Sequence, residues 1–208
     1  MSPVRTAVLV SGGGTNLQAI IDASARGEIP SAEIALVISS KPDVFALERA
    51  KKAGIPWEVC PRKGRTQQAF EAGMLDMLSA HNIQLLVLAG FMSILTEDFV
   101  RRYPRRIINV HPALIPSFCG KGYYGLRVHE AALEYGVKVT GATVHFVNEI
   151  PDGGQIIAQK AVEIVDGDTP EVLQRRVMEQ AEWILLPRAL EQVASEQLKE
   201  DKHNAEPV

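Results

Sequence analysis

Residues 4–16 read VRTAVLVSGGGTN, and this stretch determines the expected fold. Its first seven residues are mainly β-branched or aliphatic, a composition typical of a strand that is buried on both faces. Three glycines end the strand, and Leu17, Ile20 and Ile21 follow at helical spacing. A buried strand, a glycine-rich turn and a helix are together the first unit of a parallel α/β sheet.

The same alternation of strand and helix continues through the first half of the chain. It predicts a doubly wound, mainly parallel twisted sheet with right-handed crossovers, in which ligands bind outside the carboxyl ends of the strands. Those ends carry residues 11–16, 89–95 and 109–111. The further strands are predicted at residues 33–39, 57–59, 84–89 and 106–110, with a helix capped by Asp43 and another helix over residues 66–80.

The second half of the chain has a different pattern. Residues 112–125 contain two prolines and three glycines and are predicted to form a long loop, before a short helix at residues 128–134. Residues 139–147 and 155–164 are predicted to pair as strands across a turn. A helix that begins around Thr169 is expected to kink or end at Pro187. We expect one domain over residues 1–198 and a polar, frayed tail over residues 199–208.

Composition excludes several classes of protein. The 208 residues include 22 Lys and Arg against 25 Asp and Glu, a net charge of −3, so no basic surface for nucleic acid is expected. The apolar stretches are too short for a membrane span, which needs about 18 residues. Cys60 and Cys119 lie far apart, which excludes a cysteine-based zinc site and suits a reducing compartment. With no signal peptide recognised, a cytoplasmic location is expected.

The glycine-rich turn is the first candidate binding site. Glycines allow close approach of a ligand to the backbone, and the following helix offers free N–H groups and the positive end of its dipole. Gly14, Thr15 and Asn16 therefore fit a phosphate site. A tight turn that simply requires flexible residues explains the pattern equally well.

The second candidate site lies at the end of the strand over residues 106–110. Asn109 and His111 point to the same side of an extended chain, and His is the usual acid–base residue near neutral pH. An Asn side chain can donate a hydrogen bond to a developing oxyanion. Asp152 would raise the pKa of His111 if it lay nearby, but on spacing alone Asp152 is better explained as a turn residue.

The remaining polar features are interpreted as structural. His145 is expected to support the strand around it, with a position lining the cleft as the alternative. His129 and His203 are expected to be solvated. The basic run over residues 101–106 is interpreted as a solvated edge rather than an RNA contact. The histidines have no metal-binding spacing, so no metal site is expected.

Five motifs in order identify a family resemblance. They are SGGGTNLQAII at residues 11–21, LAGFMSIL at 88–95, INVHPALIPSF at 108–118, GATVHFV at 141–147 and DGGQII at 152–157. Together they resemble the phosphoribosylglycinamide formyltransferases, folate-dependent enzymes of purine synthesis with a Rossmann-like fold, over about residues 7–190. The resemblance implies formyl transfer from 10-formyltetrahydrofolate to the amine of glycinamide ribonucleotide, with no metal and no covalent enzyme intermediate.

The resemblance also assigns roles to individual residues. Asn109, His111 and Asp152 would be catalytic, with Asp152 keeping His111 protonated so that His111 and Asn109 stabilise an oxyanion. The phosphoribosyl group would bind Gly14, Thr15 and Asn16, and Glu182 would contact the glycinamide. Folate would bind beside a mobile loop at residues 117–125, and its site would comprise Met92, Ser93, Ile94, Leu95 and Asn109.

The chain departs from the family at several positions. Ser93 and Gln67 stand where many members have Arg, which leaves the contacts of the folate glutamate tail open, with Arg65 close by. Gly13 is often Asn in relatives. Residues 119–127 form a longer stretch than in some members.

Other functions are alternatives. Formyltetrahydrofolate hydrolases and methionyl-tRNA formyltransferases share similar cores but carry appended domains, for which 208 residues are expected to leave no room. A non-catalytic module that binds nucleotide phosphates would need the glycine-rich turn alone. The chain is expected to be a monomer or a homodimer that binds small molecules.

Overall fold

Seven strands and seven α-helices make up residues 2–205, the part of the chain that the computed structural model describes. The strands are β1 (Val4–Val10), β2 (Ala32–Ser39), β3 (Trp57–Val59), β4 (Leu85–Leu88), β5 (Ile107–His111), β6 (Val139–Phe146) and β7 (Ile156–Glu163). The helices are α1 (Thr15–Ala25), α2 (Phe45–Lys52), α3 (Gln67–Ala80), α4 (Glu97–Val100), α5 (Leu126–Tyr135), α6 (Pro170–Val177) and α7 (Trp183–Ala205).

All seven strands belong to one sheet, in the order β3-β2-β1-β4-β5-β6-β7. Strands β1 to β5 run parallel to one another, whereas β6 pairs antiparallel with both β5 and β7. The doubly wound, mainly parallel fold that the sequence predicts is therefore confirmed. The order reverses at β1, because β2 lies on one side of it and β4 on the other. The cleft outside the carboxyl ends of β1 and β4 is the place where such sheets bind ligands.

The helices cover both faces of the sheet and create two hydrophobic cores. Along β1, Val8 and Val10 face a core that α1 and α7 complete, whereas Ala7 and Leu9 face a core that contains α3. Successive side chains of a strand point to opposite faces. Because both faces of β1 are buried, its sequence is apolar without alternation.

Threonine side chains cap helices α3 and α6 at their starts. Thr66 accepts a hydrogen bond from the N–H of Ala69, and Thr169 accepts one from Val172. The prediction that Asp43 caps a helix is wrong. Val44 occupies the cap position of α2, and Asp43 lies in the preceding turn with a φ of 54°, in the left-handed region.

The C-terminal helices differ from the prediction. The break falls before Pro187, at the π-helical segment Met178–Glu182 that joins α6 to α7. Pro187 lies inside α7, as its fifth residue. Residues 199–205, predicted to fray, continue α7, and the rest of that predicted tail lies outside the described residues. No helix in the described part of the chain is long and apolar enough to span a membrane.

Candidate active site

Ser11, at the carboxyl end of β1, joins three parts of the cleft. Its hydroxyl lies 2.6 Å from the Ser40 hydroxyl, just after β2. It also accepts a hydrogen bond of 3.0 Å from the backbone N–H of Met92, in the segment after β4. The glycine-rich turn and the predicted folate segment are therefore neighbours at the carboxyl ends of the strands, beside β1, where the strand order reverses.

The structure explains the three glycines of the turn in different ways. Gly14 has a φ of 72°, and an added Cβ would lie 2.7 Å from the Cβ of Ala46 in α2, so this position requires glycine. An added Cβ at Gly12 or Gly13 would meet nothing within 4 Å. Packing explains Gly14, while the backbone around Gly12 and Gly13 is open to an approaching ligand.

Asn16 and Glu182 form a buried pair beside this turn. The side-chain amide of Asn16 donates a hydrogen bond of 2.6 Å to Oε2 of Glu182, which belongs to the π-helical segment. Burial raises the pKa of Glu182 to about 7, although the bond from Asn16 acts in the opposite direction. Irregular π turns often occur at functional sites. The fold thus brings Glu182, 166 positions away in sequence, to the predicted phosphoribosyl loop.

Asn109, His111 and Asp152 meet at the carboxyl end of β5. The Nδ2 atom of Asn109 lies 3.5 Å from Oδ1 of Asp152, and Nδ1 of His111 lies 3.5 Å from Oδ2 of Asp152. His111 is buried, with 5% of its side chain exposed, and Asp152 has 15% exposed. One carboxylate therefore faces both an amide and an imidazole, which is an arrangement suited to proton transfer.

The backbone around Asp152 is unusual. Asp152 has a φ of 56°, in the left-handed region, and an added Cβ at Gly154 would clash with the carbonyl oxygen of Phe146. The backbone N–H of Gly120, in the long loop, donates a hydrogen bond of 2.8 Å to Oδ2 of Asp152. The carboxylate is therefore held from the turn and from the loop at once.

The protonation of His111 differs from the expectation. Burial lowers the pKa of His111 below its ordinary value, although Asp152 and the Phe118 carbonyl act in the opposite direction. Burial alone would raise the pKa of Asp152, but contacts with His145, His111 and the Gly120 N–H together hold it below its ordinary value. Asp152 acts to raise the pKa of His111, as predicted, but burial outweighs it. In this state the site contains an ionised Asp152, and the expectation that Asp152 keeps His111 protonated is not met.

A loop carbonyl occupies one nitrogen of His111. Nε2 of His111 lies 2.8 Å from the carbonyl oxygen of Phe118. A carbonyl oxygen only accepts hydrogen bonds, so Nε2 carries the proton, and Nδ1 faces Asp152. The loop over residues 112–125, which has neither helix nor strand as predicted, therefore reaches into the site.

His145 is the residue that sequence reasoning undervalued. It lies directly opposite Asn109 in the antiparallel pairing of β5 with β6. Its Nδ1 donates a hydrogen bond of 2.8 Å to the carbonyl oxygen of Phe146, so Nε2 points to Asn109 at 3.2 Å and to Asp152 at 3.6 Å. His145 therefore lines the cleft, which is the alternative that its sequence pattern favours less. Pairing the two strands in register would have provided the signal.

The other two histidines with a prediction differ from each other. His203 is exposed, as expected. His129 is completely buried in α5, and neither ring nitrogen has a hydrogen-bond partner among the described residues. Burial lowers its pKa to about 4, with a smaller contribution from His111, so the ring is neutral at pH 7. The prediction that His129 is solvated is wrong, because its helix turns this face towards the core.

The predicted folate segment, residues 92–95, is held by two polar side chains of α3. Gln67 donates a hydrogen bond of 2.9 Å to the carbonyl of Ile94, and Glu71 accepts one of 2.7 Å from the N–H of Thr96. Met92 and Ile94 are 49% and 64% exposed, whereas Leu95 is buried. The segment therefore presents apolar side chains to the solvent on a fixed backbone.

A cavity of about 560 Å³ adjoins this segment and is lined partly by Met92 and Ser93. Lys41, Arg62 and Lys63 also line it, so an apolar surface lies beside three cations. Arg65 lies outside this lining. Within residues 2–205, no group of three or more His, Cys, Asp or Glu side chains is arranged to hold a metal ion.

Comparison with known proteins identifies the relatives of this chain. The sequence pattern described as formyl transferase matches residues 4–190. The phosphoribosylglycinamide formyltransferase of Haemophilus influenzae is 45% identical over 85% of this chain and 81% of that protein. The glycinamide ribonucleotide transformylase 1 of Symbiobacterium toebii superposes with a TM-score of 0.87 and 40% identity, covering 94% of this chain and 89% of that one.

Other relatives are longer than this chain. The chloroplastic phosphoribosylglycinamide formyltransferase of Arabidopsis thaliana is 39% identical over 84% of this chain, which spans 60% of that protein. The trifunctional purine biosynthetic protein adenosine-3 of Bos taurus is 46% identical over 92% of this chain, which spans 18% of that protein. The chain thus spans less than two thirds of the length of these two relatives.

Proposed function

The chain belongs to the formyl transferase family, and on that premise we propose that it transfers a formyl group from 10-formyltetrahydrofolate to the amine of glycinamide ribonucleotide. The products are tetrahydrofolate and formylglycinamide ribonucleotide, within purine biosynthesis. The observation that carries the proposal is the meeting of Asn109, His111 and Asp152 at the sheet edge that also holds the glycine-rich turn and residues 92–95.

The reaction begins with attack of the amine nitrogen on the formyl carbon. The carbonyl oxygen becomes an oxyanion, which Asn109 and the Nε2–H of His111 stabilise by donating hydrogen bonds. The attacking nitrogen loses one proton, and N10 of the folate gains one when its bond to the formyl carbon breaks. Asp152, ionised at neutral pH, accepts the proton of the amine directly or through water and then donates it to N10 of the folate.

The low pKa of His111 is consistent with these reaction steps. Burial lowers the pKa of His111 in the free protein, so a neutral ring is present before reaction. An oxyanion next to the ring favours its charged form, and the carboxylate of Asp152 beside Nδ1 does the same. A second proton, taken up from solvent at Nδ1, is therefore bound by His111 most tightly when the intermediate exists, which is the condition for stabilising a transition state more than the ground state.

The loop must move before His111 can act. The Phe118 carbonyl accepts a hydrogen bond from the Nε2–H of His111, the same N–H that the oxyanion needs. We place withdrawal of this carbonyl at the binding step, when the folate reaches the loop. His145 then serves as a positioning residue, because its Nε2 holds the amide of Asn109 in place.

The two substrates occupy neighbouring parts of the cleft. The phosphate of the ribonucleotide binds the open backbone around Gly12 and Gly13 at the start of α1, and Thr15 and Asn16 lie beside it. Glu182, next to Asn16, takes the glycinamide portion. The folate ring system lies along residues 92–95. Holding both substrates together removes much of the entropic barrier to a bimolecular reaction.

The glutamate tail of the folate extends to Lys41, Arg62 and Lys63. These three cations line the cavity next to Met92 and Ser93, and the tail carries carboxylates. The protein functions as a monomer or a homodimer in the cytoplasm, a reducing compartment that suits its free cysteines.

One assay tests the proposal against its alternatives. Purified protein is incubated with 10-formyltetrahydrofolate, with and without glycinamide ribonucleotide, and the folate product is followed. Product only with the ribonucleotide supports formyl transfer. Product without it would instead indicate a hydrolase, and ligand binding without product would indicate a binding module.

A further inference from the structure

A second cavity, of about 540 Å³, lies at the sheet edge opposite the candidate active site. We call it the basal cavity. Gln84 lies just before β4 and Arg106 just before β5, so the cavity adjoins the amino ends of these strands. Along β5, Arg106 and His111 are about 16 Å apart at 3.3 Å per residue. A small molecule in the basal cavity therefore does not contact His111.

Three arginines of the basic run line the basal cavity. Arg102 makes no side-chain hydrogen bond or ion pair with any described residue. Arg105 lies over the Phe146 ring at 4.7 Å and donates to Gln155. Among the described residues, the side chain of Arg106 has only a 4.0 Å contact with Asp201. Within residues 2–205, much of the donor capacity of the three guanidinium groups is thus unused, and guanidinium groups bind phosphate with matching geometry.

Gln197 of α7 is an independent indication of a ligand. It lines the basal cavity and is only 5% exposed, yet neither its Oε1 nor its Nε2 has a partner among the described residues. Leaving a buried amide unpaired is costly. A ligand that accepts and donates hydrogen bonds would satisfy both atoms, as a nucleobase edge does.

Glu196, Glu200 and Tyr103 also line the basal cavity. Carboxylates accept hydrogen bonds from ribose hydroxyls, and Glu196 keeps one oxygen free of its bond from Gln192, while the Tyr103 ring stacks on Phe99. We propose that the basal cavity binds a ribonucleoside monophosphate, with its phosphate on the arginines and its base against Gln197. This site is separate from the proposed reaction and does not depend on it.

The proposal is tested with the full chain by titrating AMP, ribose 5-phosphate and inorganic phosphate in calorimetry. We expect AMP to bind more tightly than the other two. Arg102→Ala should weaken AMP binding about tenfold or more, as expected for loss of a charge-assisted hydrogen bond. Arg101→Ala is the matched control, because Arg101 is adjacent, pairs with Glu97 and lies outside the lining. An equal loss in both variants would show a net-charge effect and overturn the proposal.

A second variant separates binding from folding. Gln197→Leu removes two unpaired buried polar atoms, so we expect an unchanged or higher Tm without ligand. The rise in Tm that AMP causes should be reduced in this variant. If AMP raises the Tm of Gln197→Leu and wild type equally, or if phosphate alone binds as tightly as AMP, the nucleotide assignment is wrong.

Discussion

At the scale of single residues, Asp152 combines a strained backbone with a central chemical position. A non-glycine residue at a φ of 56° is uncommon, and such strain tends to persist where the surrounding structure fixes it. Here the Gly120 N–H, the neighbouring glycines and two imidazoles all constrain the carboxylate. The same carboxylate contacts the imidazole that is expected to hold the oxyanion.

Turnover should depend on both His111 and Asp152. We expect His111→Ala and Asp152→Asn each to lower kcat by ~10²-fold or more, the scale of a lost acid–base or oxyanion group. Initial rates of tetrahydrofolate formation measure the effect, and the Tm of each variant verifies folding. His81→Ala is the control, because His81 is a partly exposed residue paired with Glu58. Near-normal kcat in both site variants would contradict the assigned roles.

Glu182 links the stability of the protein to pH. Its pKa rises from 4.5 to about 7 on folding, so the folded protein binds the proton more tightly. This residue therefore favours folding below pH 4.5, and the benefit is lost as the pH rises towards 7. We expect Glu182→Gln, which stays neutral, to remove this loss.

Urea unfolding at pH 5 and pH 8 provides the measurement. The free energy of unfolding of the wild type should fall relative to the Gln variant by an amount on the order of 3 kcal/mol, from about 1.4 kcal/mol per pKa unit. A parallel pH dependence of the two proteins would mean that the carboxyl group is not desolvated.

At the scale of elements, the junction of β1 with α1 depends on close approach to α2. Gly14 has a φ of 72°, and a Cβ added at this position would lie only 2.9 Å from the Cα of Ala46. We expect Gly14→Ala to lower the free energy of unfolding by about 2 kcal/mol or more, because the left-handed conformation alone costs an L-residue about 1–2 kcal/mol. Denaturant unfolding of Gly13→Ala is the control, since its added Cβ meets nothing within 4 Å. Equal stabilities of the two variants would contradict this explanation.

The parallel half of the sheet could be predicted from the sequence because each strand is short, apolar and followed by turn residues. β1 and β3 have the predicted bounds, and the other strands differ by one residue at one or both ends. Asp43 was misassigned because capping depends on the local backbone angles, which composition does not report. The π-helical segment Met178–Glu182 could not be predicted, because its sequence, MEQAE, is that of an ordinary helix. Its irregular turn arises from tertiary packing.

The site could be predicted only as far as strand ends and motifs allow. Strand alternation placed Asn109 and His111 together, and the structure brings Asp152 to them. The position of His145 required the register of β5 with β6, and the burial of His129 required the rotation of α5. Both depend on long-range packing. The net pKa of His111 also depends on burial, which residue spacing does not measure.

At the scale of the whole molecule, charge is arranged locally rather than globally. The net charge is only −3, yet three cations line the cavity beside residues 92–95 and three arginines line the basal cavity. A slightly acidic protein can therefore attract anionic ligands at chosen edges of its sheet without a general affinity for polyanions.

This distribution predicts a salt effect that depends on the length of the folate tail. Carboxylates added to the tail should interact with exposed Lys63 and its neighbours, and added salt screens such pairs over about 10 Å at 0.1 M. We expect the KM for a triglutamate folate to rise with salt more steeply than that for the monoglutamate. Lys63→Ala should raise the triglutamate KM about two- to fivefold, the range of an exposed ion pair, and flatten its salt dependence. Lys51→Ala, an exposed lysine of α2 outside the cavity, should change neither. Identical salt dependence for the two folates would place the tail away from this cavity.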